Sequence, residues 1–160
     1  RYPQYDFIWF GSTPSALIPA KIRKAVRTQL PNLQFPGFVS KEELMDAYSG
    51  SDLFFFPTLE ETEGIVMLEA MAMETPVLTR YIPVYEGWLE HGRTVYKGRG
   101  QEDFARLLPD ILEGRLPRLT EEAYRLVQEN SITKIGNALA GIYDSLLAED
   151  KAESKNLQLL

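Results

Sequence analysis

"LFFFPTLEETEGIVMLEAMAM", residues 53–73, decides how this chain is read. Its first part is a continuous apolar run stopped by Pro57, the pattern of a strand covered on both faces in a parallel sheet. Its last part is a helical run, Ile65 to Met73, apolar at every position except Glu69. A carboxylate in so apolar a helix is costly unless it is paired or hydrogen-bonded. Glu69 is therefore expected to meet a backbone amide or an arginine, or to face a ligand cleft and accept bonds from hydroxyls there. A helix simply exposed at that point fits poorly with apolar residues all round.

The connection "LEETEG" favours the cleft, because ligands in open parallel sheets bind beyond the carboxyl ends of the strands. Gly64 lets the backbone approach a ligand closely. The amides of Gly64, Ile65 and Val66 would be the unpaired N–H groups of a helix start, suited to an anion such as a diphosphate. Glu61 and Glu69 should then lie on one side of the cleft, with Glu69 in the first two turns of a helix that begins near Gly64.

Outward from this stretch, "DFIWFG" (6–11), "LQFPGF" (33–38), "PVLTR" (76–80) and "TVYKG" (94–98) read as further strands. "SALIPAKIRKAVRTQL" (15–30) is an amphipathic helix with Pro19 in its first turn, and "SKEELMDAYSGSD" (40–52) opens on an S-x-x-E capping box, Ser40 to Glu43. Both are read as crossover helices. After Gly100 three helices follow, over 101–114 with Pro109 inside, 120–130 and 131–150. The fold class is α/β: a Rossmann-like parallel sheet with flanking helices.

Residues 1–148 form the expected domain and 149–160 a frayed polar tail. The opening "RYPQYDFIWFG" reads as a helix end feeding a strand, so the first strand and helix of the fold are expected to be missing. In the strand order 3-2-1-4-5-6 the missing strand is central. The strands at 6–11 and 53–58 must then pair directly, be bridged by other chain, or sit in a rearranged sheet. A chain that opens on Arg1 reads as a piece of a longer protein.

Composition narrows the function. Of 160 residues, 44% are hydrophobic and 25% charged, as in an ordinary globular domain. A net charge of -6 argues against a nucleic-acid reader or a membrane-surface anchor, which show a basic face. No cysteine and a single histidine leave little for a metal site. No apolar run reaches the roughly 18 to 20 residues of a membrane span.

The spacing Glu61-x7-Glu69 with Gly64 between, followed by "EAMAMETPVL" and preceded by "FPGFVSKEELMDAYSGSDLFFFPTLEETEG", resembles the retaining GT-B glycosyltransferases of group 1, in their C-terminal donor-binding domain. The resemblance covers residues 5 to 98, and the helices to 148 are compatible with it. It implies that Glu61 is the catalytic-site carboxylate that bonds hydroxyls of the donor sugar, and that Glu69 bonds the ribose of the nucleotide. Gly64, Ile65 and Val66 would face the diphosphate, and the base would lie near Phe38, Val39 and Pro57.

The same resemblance implies a nucleotide sugar as substrate, UDP-linked, with no metal and no cofactor. It also implies an acceptor-binding N-terminal domain outside this chain, together with the basic clamp on the diphosphate. "IPVYEGWL" (82–89) is similar to bacterial members that build glucosyl or galactosyl glycolipids on diacylglycerol, implying a membrane-lipid acceptor and a cytoplasmic protein held peripherally on the inner face of the cell membrane. Two departures stand out: the family often has an aromatic where Glu63 stands, and a glycine where Glu74 precedes Thr75.

Other residues read more plainly. His91 is taken as a surface turn before Gly92 and Trp88 as packing under its loop, with Glu86 left open between surface and site. The basic stripe Lys21–Arg27 is a solvated helix face. Two rival readings are a nucleotide-sugar epimerase of the same architecture, which would need its own acid and base, and a nucleotide-binding module without catalysis.

Overall fold

The computed structural model describes residues 2–12, 16–28 and 30–157. The chain gathers into two compact units, one ending at Gly50 and one beginning at Ser51.

The first unit contains β1 (Phe7–Phe10), α1 (Ala20–Val26), β2 (Leu33–Gly37) and α2 (Lys41–Ser49). β1 and β2 are parallel, with Phe7 opposite Leu33 and Ile8 opposite Gln34, so α1 is a true crossover. The Asn32 side-chain amide donates to the carbonyls of Tyr2 and Tyr5 at 2.9 and 2.8 Å and ties down the lead-in to β1. Pro19 is the N-cap of α1, one position before the expected first turn. Ser15 and Gln29 of the expected helix lie outside the described residues. α1 buries no residue, and its Lys21–Arg27 stripe is the solvated face expected of it. The capping box of α2 forms as read: the Ser40 hydroxyl accepts from the Glu43 amide at 3.1 Å, and the Ser40 amide donates to the Glu43 carboxylate at 2.9 Å.

The second unit contains β3 (Phe54–Phe56), α3 (Ile65–Ala72), β4 (Val77–Arg80), a 3-10 turn (Pro83–Tyr85), β5 (Tyr96–Gly98), α4 (Gln101–Leu112), α5 (Thr120–Glu129) and α6 (Ile132–Leu157). Its sheet is parallel throughout, in the order β3-β4-β5. β4, paired on both edges, buries Val77, Leu78 and Thr79 almost completely. The Thr79 hydroxyl donates to the Phe56 carbonyl at 2.9 Å, which is how a polar side chain is accommodated there. α4 continues through Pro109 and buries Phe104, Leu107, Leu108 and Ile111, the i, i+3, i+4, i+7 positions of one face. Phe104 sets its ring edge-on to Phe55 of β3, with centroids 5.2 Å apart. α6 runs into the stretch expected as a frayed tail, and residues 158–160 lie outside the described residues.

All five expected strands form, as a two-stranded sheet in the first unit and a three-stranded sheet in the second. α2 closes the first unit and leads to β3 of the second. β1 also differs in burial: Ile8 is 53% and Trp9 62% exposed, whereas β4 is covered on both faces. An apolar run reports that faces could be covered, and only the neighbours decide whether they are.

Candidate functional site

The carboxyl ends of β3, β4 and β5 carry the site. Gly64 is the N-cap of α3, with φ 82° and ψ 40°. A Cβ there would fall 2.6 Å from the Met67 methyl and 3.2 to 3.3 Å from the ring and hydroxyl of Tyr85, so both the left-handed backbone and the packing require glycine. No side chain caps α3. The amides of Gly64, Ile65 and Val66 make no hydrogen bond among the described residues, and the first turn closes through Met67 N–H on the Gly64 carbonyl at 2.9 Å. The positive end of the helix is thus left open at the strand ends.

Glu61 stands in the loop that leads to this turn. One of its carboxylate oxygens accepts from the Thr62 amide at 2.8 Å and from the Thr62 hydroxyl at 3.4 Å. The side chain borders a hollow of about 340 Å³ with Ile82, Pro83 and Val84 opposite. Beneath lies Tyr85, wholly buried, its hydroxyl without a hydrogen-bond partner of good geometry among the described residues. Burial first, and then the Glu61 carboxylate, push the Tyr85 pKa up to about 12, against a smaller pull from the neighbouring Thr79 hydroxyl.

Glu69 sits in the second turn of α3, as expected, but its surroundings differ from those the sequence suggested. It is only half-buried, one turn on from Ile65, which is 56% exposed. No amide or arginine pairs with it among the described residues. The apolar helix does not sink into the core on every side: Met67, Ala70 and Met71 are inside while the face of Ile65 and Glu69 reaches solvent. Half exposed, the carboxylate avoids most of the cost of burial without a protein partner.

Pro57 is half-buried at the end of β3, and Phe38 and Val39 follow β2 in the first unit, Phe38 80% exposed and Val39 half-buried. Thus Glu61, Gly64, Ile65, Val66 and Glu69 share one loop and helix start, with Pro57 at the strand end before them.

Arg80 is the residue supporting the site that the sequence reading passed over. Its Nε donates to the carbonyls of Pro57 and Thr58 at 3.2 and 3.1 Å, its Nη1 donates to the Arg99 carbonyl at 2.8 Å, and its guanidinium lies over the Phe104 ring at 5.1 Å. One side chain holds the ends of β3, β4 and β5 together. The available signal was a lone cation closing a buried strand.

The loop after β4 is bonded internally. The Trp88 indole N–H donates to the Val84 carbonyl at 2.7 Å, and its ring packs edge-on to Tyr85, the packing role expected of it. His91 is exposed yet more than a turn residue, since its Nδ1 accepts the Lys97 backbone amide at 2.8 Å. Burial, then the Lys97 and Arg106 cations, hold the His91 pKa below its ordinary value, with Asp103 opposing them.

Residues 22–133 match the family of glycosyl transferases group 1. The chain belongs to that family. It is 40% identical over 145 residues, 91% of its own length, to a processive diacylglycerol alpha-glucosyltransferase of Acholeplasma laidlawii, of which it covers 44%. It is 32% identical over 81% of its length to an alpha-galactosylglucosyldiacylglycerol synthase of Streptococcus pneumoniae, covering 35% of that protein. The chain thus spans less than half the length of these relatives. Among solved structures, Anabaena Alr3699/HepE in complex with UDP superposes with a TM-score of 0.75 at 20% identity, over 89% of this chain and 42% of that one. The C-terminal domain of the group 1 family protein LpcC of Francisella tularensis superposes with a TM-score of 0.65 at 21% identity, over 80% of this chain and 70% of that one. These likenesses establish the glycosyltransferase family and the α/β architecture of a GT-B half.

Proposed function

We propose that this chain is the donor-binding half of a glycosyltransferase that moves a hexose from a UDP sugar to a diacylglycerol glycolipid, with retention of anomeric configuration. The observation that carries the reading is the open start of α3: three unpaired amides at Gly64, Ile65 and Val66, flanked by the Glu61 and Glu69 carboxylates. The amides, at the positive end of the helix, would take the diphosphate. Glu61, held by Thr62, would accept hydrogen bonds from donor-sugar hydroxyls, and Glu69 from the ribose. Pro57, at the strand end before the loop, would lie near the base. The 40% identity to a diacylglycerol glucosyltransferase supports a glycolipid acceptor.

In this reading the acceptor binds a domain outside the chain, and the leaving phosphate helps deprotonate the acceptor on the same face of the sugar. No helix among the described residues is long and apolar enough to cross a membrane. Contact with a lipid acceptor would be peripheral, at the inner face of the cell membrane, in keeping with the glycolipid-building relatives. The 160 residues alone would be inactive and bind UDP weakly.

Titration calorimetry of the full-length protein with UDP and UDP-glucose, beside product analysis with diacylglycerol acceptors, tests the reading. Binding of the nucleotide sugar with an α-linked glycolipid as product supports it. Epimerised sugar nucleotide as product would point to an epimerase instead, and UDP binding with no turnover to a module without catalysis.

A further inference from the structure

A second hollow, of about 450 Å³, lies beside the first in the same unit, across Ile82 and Pro83, and is lined by Tyr81, Glu86, His91, Lys97 and Arg99. Lys97 is its unusual member. It belongs to a buried strand and is only 6% exposed, yet its ammonium has one neutral acceptor, the Tyr85 carbonyl at 3.3 Å, and no ion pair among the described residues. Glu86 lies near enough to favour the charged form but outside ion-pair distance, while burial pulls the Lys97 pKa down. An ammonium withdrawn from water with so little compensation is costly in the empty site, and an anion offsets that cost.

Two further donors border the same space. His91 accepts the Lys97 amide on Nδ1, which leaves the ring proton on Nε2 as a donor. Arg99 stacks its guanidinium on the Tyr81 ring at 4.5 Å and makes no ion pair among the described residues. Tyr81 also lies beneath the ammonium at 5.5 Å, so one ring orients both cations. In a chain of net charge -6 this is a local excess of positive charge in a concave site. Three donors of different geometry, a point charge, a planar fork and an imidazole N–H, suit the several acceptor oxygens of a tetrahedral anion.

We propose that the hollow over Lys97 is a phosphate-binding subsite, separate from the open start of α3, that takes a phosphate ester. The ester could be a soluble phosphate or the headgroup of a phospholipid, since both offer the same oxygens.

The test uses the full-length protein with UDP saturating, so that the start of α3 is occupied. Inorganic phosphate, glycerol 3-phosphate, and phosphatidylcholine vesicles with and without phosphatidylglycerol are titrated against wild type, Lys97→Met and Arg99→Ala. Arg99 is exposed, so its replacement is expected to leave the fold intact and the test survives a Lys97→Met protein that does not fold. The expected result is binding by wild type that weakens roughly 10- to 100-fold in each variant, the weight of one charge-assisted hydrogen bond, with UDP affinity unchanged. A response to free glycerol 3-phosphate identifies a soluble ligand, and a response confined to phosphatidylglycerol vesicles identifies a headgroup. Equal binding by all three proteins, or binding of none of the probes at saturating UDP, would each overturn the proposal. The UDP titration of the wild type reports separately on the donor site.

Discussion

The two loops at the carboxyl ends of β3 and β4 are built on opposite plans. The loop into α3 leaves its polar groups open: the amides of Gly64, Ile65 and Val66 and the Glu69 carboxylate find no partner among the described residues. The loop after β4 closes on itself, with the Trp88 indole on Val84 and the His91 imidazole on the Lys97 amide. Arg80 fastens the strand ends between them to three carbonyls. Groups satisfied within the chain hold a scaffold, and groups left open are available to a ligand. Substitutions on the two sides of this divide should therefore fail in different ways.

The largest effect is expected at Gly64. Gly64→Ala imposes a left-handed backbone on a β-carbon, about 1–2 kcal/mol, and a clash with Met67 and Tyr85 worth about 1–3 kcal/mol. Chemical denaturation should show a loss of about 2–5 kcal/mol, the sum of those two costs, with UDP affinity falling as the turn shifts. An unchanged midpoint would mean that the turn relaxes freely. Glu69→Gln comes next and should separate the two plans most sharply. It keeps the shape of a half-exposed side chain, so stability should hold while donor affinity or turnover drops roughly 10- to 100-fold. Unaltered kinetics would make Glu69 a bystander.

Arg80→Met should do the reverse. It removes donors from three carbonyls at the strand ends, and since the group is half-exposed the loss in denaturation should be about 1–3 kcal/mol. Donor affinity should follow only through loosening of the loop. A stable protein with abolished UDP binding would move Arg80 from scaffold to ligand contact.

Glu74→Gly should act in the opposite direction and weakly. Glu74 has φ 54°, a conformation that costs a β-carbon-bearing residue about 1–2 kcal/mol, partly offset by the greater unfolded-state freedom of glycine. A net gain of about 0.5–1 kcal/mol is expected, and a loss would show that the Glu74 side chain does more than occupy its place.

The smallest signal is the pH dependence from His91. Its folded pKa lies below the ordinary 6.5, because burial and the Lys97 and Arg106 cations disfavour the imidazolium. The unfolded chain then binds more protons, so this contribution is complete above about pH 6.5 and is lost as pH falls through the lower folded value. Replacing His91 with Gln should flatten that acid slope in thermal melts, and an unchanged slope would assign it to other groups.

Much of the candidate site was legible because its logic is local. Gly64 follows a strand and opens a helix, so its left-handed turn and the free amides after it follow from chain order and backbone hydrogen bonding alone. The capping box at Ser40 and Glu43 is equally local, two side chains and two amides within one turn. The left-handed backbone at Glu74 was not read from the sequence, because a glutamate gives no local sign of a positive φ. Arg80, Tyr85 and Lys97 were not legible, because nothing beside them in the chain hints at what they meet. Arg80 acts on carbonyls more than 19 residues away in most of its bonds, and the partner that makes Lys97 unusual is the carbonyl of Tyr85, 12 residues back.

The sequence by itself determined the five strands, the order of the helices between and after them, the parallel sense of the sheets and the place of the open helix start, though not the extent of the last helix. Apolar period, turn residues and the order of elements act over a few residues and are carried by the chain wherever it goes. Tertiary structure alone decided that Glu69 reaches water instead of a buried partner, and that a cation is withdrawn beside Tyr81. Each of these depends on which surfaces come together, and burial, unlike hydrogen bonding along a helix, is set by neighbours distant in the chain.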